Sequence, residues 1–155
     1  MSEFKILMVC LGNICRSPIA EGLMRQKITL YNLPWEVDSA AVGNYYIGKP
    51  PHQFAQLVCK GNGIDISHQR ARLLTINDFD KFDKIYAMDE SIFEEAKKIA
   101  GNHHVNRLDL FLNEINIENK NTPDPYYGYY FDFKLVYKLV EQVCDQIVQK
   151  YKHFH

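Results

Sequence analysis

An apolar run that leads directly into a glycine-containing loop and then into a helical segment constrains the fold of this chain most strongly. Residues 6–9 read Ile-Leu-Met-Val, a continuous apolar stretch typical of a strand buried on both faces of a parallel sheet. The loop that follows contains Gly12 and Asn13, residue types that tolerate the positive φ of a tight turn. Ser17 and Pro18 then suit the N-cap and first position of a helix.

The rest of the chain repeats this order of strand and helix. Four segments have the apolar character of strands, at residues 5–9, 35–40, 84–88 and 105–110, and four have helical patterns, at residues 17–31, 52–62, 89–100 and 131–151. This alternation predicts a parallel α/β sheet flanked by helices, with a ligand site at the carboxyl ends of its strands. We expect one domain over residues 1–155. The buried side of the first helix is expected to comprise Ile19, Leu23, Ile28 and Leu30.

Cys10 and Arg16 stand at the two ends of the loop, with five residues between them. Backbone N–H groups that converge near a helix N-terminus favour an anion, so they lower the pKa of a thiol and can also hold a phosphoryl group. The planar guanidinium of Arg16 matches two phosphate oxygens. The pattern predicts a nucleophilic Cys10 and a phosphate-binding loop made of Leu11, Gly12, Asn13, Ile14, Cys15, Arg16 and Ser17. The Ser17 hydroxyl has a second candidate role, a hydrogen bond that stabilises the Cys10 sulfur.

Two motifs carry a family resemblance. Residues 10–18, Cys-Leu-Gly-Asn-Ile-Cys-Arg-Ser-Pro, resemble the signature loop of the low-molecular-weight protein tyrosine phosphatases, and residues 124–127, Asp-Pro-Tyr-Tyr, resemble that family's acid loop. The resemblance implies a single-domain, four-stranded parallel sheet with the phosphate-binding loop after the first strand. It also implies cysteine-dependent hydrolysis of phosphotyrosine in proteins through a phosphocysteine intermediate, without metal or cofactor. Cys10, Arg16 and Asp124 would be the catalytic residues.

The assignment of Asp124 depends on this resemblance. A departing phenolate needs a proton donor, and prolines on both sides of Asp124 restrict its backbone and would help to aim its carboxyl group. The same triplet, taken alone, is equally typical of a surface turn. In the family, the aspartate of this motif is the general acid.

The resemblance implies further roles around the loop. Ile14, Tyr45, Tyr126 and Tyr127 would line the substrate cleft, and Ser39 and His68 would tie Asn13 and Ser17 into a supporting hydrogen-bond network. Cys15 would be a resolving thiol that forms a reversible disulfide with oxidised Cys10. From the residues alone, these positions are equally compatible with a tyrosine-rich surface loop, a strand-end serine, a structural histidine and a small buried thiol.

Several alternatives remain open. A protein-arginine phosphatase of the same fold has a threonine where this chain has Ile14. An arsenate reductase of the same fold needs further cysteines near the third strand, and residues 81–95 contain none. A phosphoprotein-binding protein or a redox sensor would need the loop but would leave Arg16 and Asp124 without a catalytic task.

The overall charge excludes some classes of partner. With 18 basic and 19 acidic residues, the net charge of −1 provides no general attraction to nucleic acid or to an anionic membrane. The cysteine and histidine spacings fit no usual zinc pattern, so we expect no metal. No signal peptide or membrane-inserting stretch is predicted, and a catalytic thiol indicates the cytoplasm. The expected partners are phosphotyrosine-containing proteins, a cognate tyrosine kinase among them, and a phosphate or sulfate anion in the loop; the chain is expected to be a monomer or to self-associate weakly.

Overall fold

Four parallel strands form one sheet, in a computed structural model that describes residues 3–153. The strands are β1 (Phe4–Cys10), β2 (Trp35–Ala41), β3 (Lys84–Ala87) and β4 (Leu108–Leu110). Their order in the sheet is β2-β1-β3-β4, so β1 is central. The predicted four-stranded parallel α/β fold is therefore confirmed. Residues 1, 2, 154 and 155 of the predicted domain lie outside the described residues.

In the part of the chain that the structure describes, five α-helices cover the two faces of the sheet. They are α1 (Arg16–Leu30), α2 (Gln53–Lys60), α3 (Asp78–Lys81), α4 (Glu90–Ala100) and α5 (Tyr130–Tyr151). Alternate residues of β1 point to opposite faces, as the period of a strand requires. Ile6 and Met8 pack in the core under α1, α2 and α5, whereas Leu7 and Val9 pack in the core under α3 and α4. The continuous apolar run of β1 reflects burial on both faces.

Strand register brings the candidate loop and two other chain segments to one edge of the sheet. The last residue of β1, Cys10, is opposite Ala41 at the end of β2, and Val9 is opposite Ala87 at the end of β3. The carboxyl ends of the three strands therefore meet where β1 leads into α1. This is the edge at which parallel α/β sheets place their ligands.

Three local predictions were wrong. Residues 105–107 form a 3-10 turn (Val105–Arg107), because only Leu108–Leu110 pair with β3. Helix α1 begins at Arg16, with Cys15 at its N-cap, so Ser17 lies inside the first turn. Leu30, expected on the buried side of α1, is 70% exposed because it is the last residue of the helix. Among residues 3–153, no helix has the length and apolar character needed to cross a membrane.

Candidate active site

The loop between β1 and α1 owes its shape to Asn13 and to a close aromatic contact. Asn13 has a φ of +58°, the left-handed conformation that asparagine tolerates. Gly12, expected to share that conformation, does not have a positive φ. A Cβ atom on Gly12 would lie 2.7 Å from Cδ2 of Tyr46, so the glycine is required for the approach of this ring. The loop thus has an aromatic side chain packed directly against its backbone.

A buried chain of hydrogen bonds supports the sulfur of Cys10. The Ser17 Oγ lies 3.0 Å from Cys10 Sγ, and the Asn13 side-chain amide donates to the same Oγ at 2.8 Å. A thiolate has no proton to give, so Ser17 is the donor when Cys10 is ionised. This contact is the second of the two predicted roles for Ser17. A hydrogen bond to the charged form of a thiol favours that form.

The same network continues away from the sulfur. Asn13 Nδ2 also donates to Ser39 Oγ at 2.9 Å, and Ser39 donates to Glu21 Oε1 at 2.7 Å. The backbone N–H of Arg72 donates to Asn13 Oδ1 at 3.1 Å, which fixes the orientation of the amide. The side chains of Asn13, Ser17 and Ser39 therefore lie in one hydrogen-bonded group, with the buried carboxylate of Glu21 as an acceptor.

His68 does not join this network, which corrects the prediction made for it. The side chain is exposed and lines a separate cavity between α1 and residues 63–69. The neighbouring Gln69 is the buried residue, and its Nε2 donates to the carbonyl of Pro18 in α1. In an irregular segment, sequence pattern does not determine which of two adjacent side chains turns inward.

Arg16 is buried and held by two groups that sequence analysis did not identify. Its Nη1 donates to Asp89 Oδ2 at 2.6 Å and to the Thr122 carbonyl at 3.0 Å. Within residues 3–153, Nη1 is the donor of both hydrogen bonds that this guanidinium makes. The N–H groups of Nε and Nη2 therefore stay available to an anion. Those two donors form the fork that matches a pair of phosphate oxygens.

The charges around Arg16 shift its pKa and that of Asp89 apart. Burial alone would lower the pKa of Arg16, but the Cys10 thiolate and the Asp89 and Asp124 carboxylates outweigh it and raise that pKa. Burial would raise the pKa of Asp89, but hydrogen bonds from Arg16 and from the N-terminus of α4 outweigh it and lower that pKa. Arg16 and Asp89 are therefore both charged around neutral pH.

Asp124 lies near the other terminal nitrogen of the same guanidinium. Its Oδ2 lies 3.7 Å from Arg16 Nη2, and its side chain is 43% exposed. The backbone N–H of Tyr126 donates to Asp124 Oδ1 at 3.1 Å, which fixes the carboxyl group at the turn. The loop itself is anchored where Thr122 N–H donates to the carbonyl of Met88 at the end of β3. A long loop thereby delivers one carboxyl group to the edge of the sheet that carries Cys10.

A cavity of about 300 Å³ contains these groups. It is lined by Cys10, Leu11, Gly12, Ile14, Cys15, Arg16, Tyr45, Tyr46, Asp124, Tyr126 and Tyr127. The Tyr46 and Tyr126 rings lie 5.7 Å apart between centroids. The Tyr46 hydroxyl acts as hydrogen-bond donor toward Tyr126, and this holds its proton and raises the pKa of Tyr46 to about 12. The cavity thus has a thiol and a guanidinium at its base and aromatic rings at its mouth.

The second thiol of the loop differs in character from the first. Cys15 is 4% exposed and lines the cavity, and its thiol is free. Burial raises its pKa strongly, and the neighbouring Cys10 raises it further. Cys15 is therefore protonated at physiological pH, which makes it a poor nucleophile in its present environment.

Sequence reasoning missed Asp89, Thr122, Tyr46, Glu21 and Arg72. Asp89 had a usable signal, because it directly follows β3 at the edge where ligands bind, but an aspartate before a helix is also an ordinary N-cap. It serves as both, since Oδ1 accepts from Ile92 N–H at 2.8 Å while Oδ2 contacts Arg16. Tyr46 was passed over in favour of its neighbour Tyr45. Thr122 acts through its backbone carbonyl, which no side-chain pattern reveals.

Comparison with known proteins agrees with this geometry. A sequence model described as low molecular weight phosphotyrosine protein phosphatase matches residues 5–154. The human low molecular weight phosphotyrosine protein phosphatase is 40% identical over 154 residues, covering 94% of each chain. The Bacillus subtilis low molecular weight protein-tyrosine-phosphatase YfkJ is 36% identical over 148 residues, covering 92% of each.

Solved structures give the same result. The crystal structure of YfkJ superimposes with a TM-score of 0.90 at 32% identity, covering 99% of this chain and 97% of that one. A protein tyrosine phosphatase from Entamoeba histolytica, solved with Hepes in the active site, also has a TM-score of 0.90, at 31% identity and 97% coverage of both chains. By sequence over nearly its whole length and by fold, the chain belongs to the low molecular weight phosphotyrosine protein phosphatase family.

Proposed function

We propose that this protein hydrolyses phosphotyrosine in proteins, without metal, through a phosphocysteine on Cys10. The observation that carries the proposal is that Cys10, Arg16 and Asp124 line one cavity although they come from distant parts of the chain. A nucleophile, a phosphate-binding cation and a proton donor are the three groups that cleavage of a phosphate monoester requires. The relatives named above are tyrosine phosphatases, and this comparison does not favour the alternative of an arginine phosphatase.

In the first step, the Cys10 thiolate attacks phosphorus. The S–P bond forms as the bond between phosphorus and the phenolic oxygen breaks. Arg16 and the amides of residues 11–17 stabilise the equatorial oxygens, where negative charge is concentrated in the transition state. Asp124 gives its proton to the departing phenolate, whose unassisted pKa of about 10 makes it a poor leaving group.

In the second step, water hydrolyses the phosphocysteine. The Asp124 carboxylate, now without its proton, accepts a proton from the attacking water. The P–S bond breaks, inorganic phosphate is released and the Cys10 thiolate is restored. The Ser17 hydroxyl, 3.0 Å from the sulfur, stabilises the departing thiolate and so serves both steps.

The walls of the cavity support selection by reach. Ile14, Tyr45, Tyr126 and Tyr127 line the space between Cys10 and solvent, and Tyr126 and Tyr127 have ring centroids 4.8 Å apart. A phosphorylated aromatic ring stacks against such walls and is long enough to bring its phosphate to a thiol that is only 3% exposed. A phosphoserine side chain is shorter and leaves the aromatic walls without a partner.

The test is hydrolysis of matched phosphotyrosine, phosphoserine and phosphoarginine peptides in the presence of a chelator. We expect rapid release of phosphate from phosphotyrosine only, and its loss in Cys10→Ser. Cys59→Ala is the control, because Cys59 is also a buried thiol but lies in α2, outside the cavity. Turnover by Cys10→Ser, or preference for phosphoarginine, would contradict the proposal.

Further properties of this site are proposed with it. The substrates are phosphotyrosine-containing proteins, with a cognate tyrosine kinase as one candidate, and phosphate or sulfate binds the loop as a competitive inhibitor. A catalytic thiol needs a reducing compartment, so we assign the protein to the cytoplasm, as a monomer or a weakly self-associating chain.

Oxidation is a proposed control of the same thiol. Hydrogen peroxide would oxidise the Cys10 thiolate to a sulfenic acid, with hydroxide as the leaving group. This step removes the neighbouring negative charge that helps to keep Cys15 protonated. The Cys15 thiol would then condense with the sulfenic acid, releasing water and forming a disulfide that a cellular thiol can reduce. The proposal is supported by the presence of both free thiols in one cavity.

A further inference from the structure

Three potential metal ligands lie together on the surface at the edge of the sheet opposite to Cys10. Asp80 Oδ1 is 2.6 Å from His103 Nε2 and 3.5 Å from His104 Nε2. One ligand atom from each of the three residues lies within 4.8 Å of the others. Asp80 is in α3, and the two histidines are in the turn that follows α4.

The position of the cluster follows from the direction of α4. This helix begins at the carboxyl end of β3, where its N-cap Asp89 contacts Arg16. Its 11 residues carry the chain back along the sheet by about 16 Å. The turn after α4 therefore lies near the amino end of β3, where α3 also ends. The cluster is separate from the catalytic cavity and shares no residue with it.

The backbone of the turn explains how two consecutive histidines face the same carboxylate. Consecutive side chains in an extended strand point in opposite directions. His104 instead has φ +51° and ψ 33°, a left-handed conformation that lets its side chain lie on the same side of the turn as that of His103. The two imidazole rings consequently lie 4.7 Å apart between centroids, with both Nε2 atoms near Asp80 Oδ1.

The two halves of the cluster rest on a common support. Nη1 of Arg107, just beyond the turn, donates to the backbone carbonyls of Phe79, Asp80 and Phe82 at 3.0, 2.9 and 3.2 Å. Phe79 and Phe82 are fully buried, so Arg107 is bound to a well-packed segment that comprises the end of α3 and the residue after it. Arg107 N–H also donates to the carbonyl of His104 at 3.0 Å. The ligand-bearing segments are thus held together by contacts that do not involve the ligands themselves.

We propose that Asp80, His103 and His104 bind a divalent metal ion of the zinc type. In a tetrahedral site with metal–ligand distances of about 2.0–2.1 Å, the ligand atoms are about 3.3 Å apart. The two separations from Asp80 Oδ1, 2.6 and 3.5 Å, lie on either side of that value, and the ligand atoms of the two histidines lie within 4.8 Å of each other, so side-chain rotations can bring the three atoms to a common metal ion. A set of two imidazole nitrogens and one carboxylate oxygen suits zinc, nickel and copper better than it suits magnesium or calcium.

A metal here would act on stability and not on the chemistry at Cys10. The metal would replace the hydrogen bond between Asp80 and His103 with coordination bonds that connect α3 to the turn after α4. Water would complete its coordination. The residues escape a search of the sequence because two of them are neighbours and the third is 23 positions from His103, a spacing that matches no familiar zinc motif.

The direct test is calorimetric titration of the Cys10→Ser protein with Zn²⁺ and Ni²⁺. Removing this thiol prevents metal binding at the catalytic loop from obscuring the result. We expect one site per chain, with affinity reduced at least tenfold in His104→Ala and in Asp80→Asn. His68→Ala is the control, because it removes an exposed histidine that lies outside the cluster, and it should leave the affinity unchanged.

Thermal unfolding and the Co²⁺ spectrum give independent readouts. At a metal concentration a hundredfold above the dissociation constant, we expect Tm to rise by about 5–10 °C in the Cys10→Ser protein, and to rise little in His104→Ala. Co²⁺ should give the visible absorption of a site with nitrogen and oxygen ligands. Failure of the Cys10→Ser protein to bind Zn²⁺ or Ni²⁺, or equal binding by His104→Ala and Asp80→Asn, would overturn the proposal.

Discussion

The contact between Asp89 and Arg16 is the part of the site whose contribution can be calculated most directly. The Arg16 side chain is 3% exposed and that of Asp89 is 19% exposed, and their closest atoms are 2.6 Å apart. A hydrogen bond between charged groups in such surroundings contributes about 1.5–3 kcal/mol. In Asp89→Asn, the amide oxygen still accepts from Arg16 and the Thr122 carbonyl still holds Nη1, so we take the lower part of that range.

A loss of about 1.5–2 kcal/mol in the transition state lowers kcat by about 10- to 30-fold. The carboxylate also offsets part of the Arg16 charge, so its removal strengthens the attraction of the guanidinium for a phosphate dianion. That effect acts on bound substrate as well as on the transition state, and it is expected in KM. Asp89→Asn should therefore have a lower kcat together with an unchanged or lower KM.

The assay is steady-state hydrolysis of an aryl phosphate, accompanied by vanadate inhibition and thermal unfolding. Ser91→Ala is the matched control, because Ser91 Oγ donates to Asp89 Oδ1 at 2.7 Å and leaves the oxygen that contacts Arg16 in place. We expect its kcat to remain within about twofold of the wild-type value. A wild-type kcat in Asp89→Asn, or an equal loss in Ser91→Ala, would refute the view that Asp89 orients Arg16.

Ser17→Ala removes the hydroxyl 3.0 Å from Cys10 Sγ, and we expect kcat for an aryl phosphate to fall about tenfold in a steady-state assay. The pKa of Asp89 is lower in the folded state than in the unfolded state. Its contribution to the free energy of unfolding is therefore present above about pH 4 and is lost as the pH falls through the folded-state pKa. Urea unfolding at several acidic pH values should show a steeper loss of this free energy in the wild type than in Asp89→Asn. Glu114, whose side chain is 1% exposed, accepts from Tyr86 and from Lys150, so Glu114→Ala should lower the free energy of unfolding by about 3 kcal/mol while kcat/KM remains within about twofold.

The parts of the fold and site that sequence could predict are those that depend on local chemistry. The apolar run of β1 and the residues from Cys10 to Ser17 determine a strand, a turn and a helix start within a short stretch. The alternation of elements then determines a parallel sheet, and the sheet determines the edge at which the loop lies. Cys10 and Arg16 could be proposed from the sequence because they belong to one short motif, in which the residue types and their spacing can be read directly.

The parts that sequence could not predict depend on contacts between distant segments. Asp89 was predicted only as the first residue of a helix, and its second oxygen faces Arg16 because β3 lies beside β1. Thr122 contributes a backbone carbonyl, for which any residue type would serve. Gln69 is buried where His68 was expected, because the irregular segment that contains both has no periodicity to fix its orientation. Leu30 is exposed because α1 ends there.

The central claim is that phosphate passes through a covalent intermediate on Cys10, with Asp124 acting in both its formation and its breakdown. The most direct measurement is rapid acid quenching of Asp124→Ala during turnover of a radiolabelled aryl phosphate with a good leaving group, which needs little help from a general acid. The account predicts a burst of phenol equal to the enzyme concentration and label on the peptide that contains Cys10, with none in the Cys10→Ser, Asp124→Ala double variant. Turnover of the substrate with no label on that peptide would contradict it.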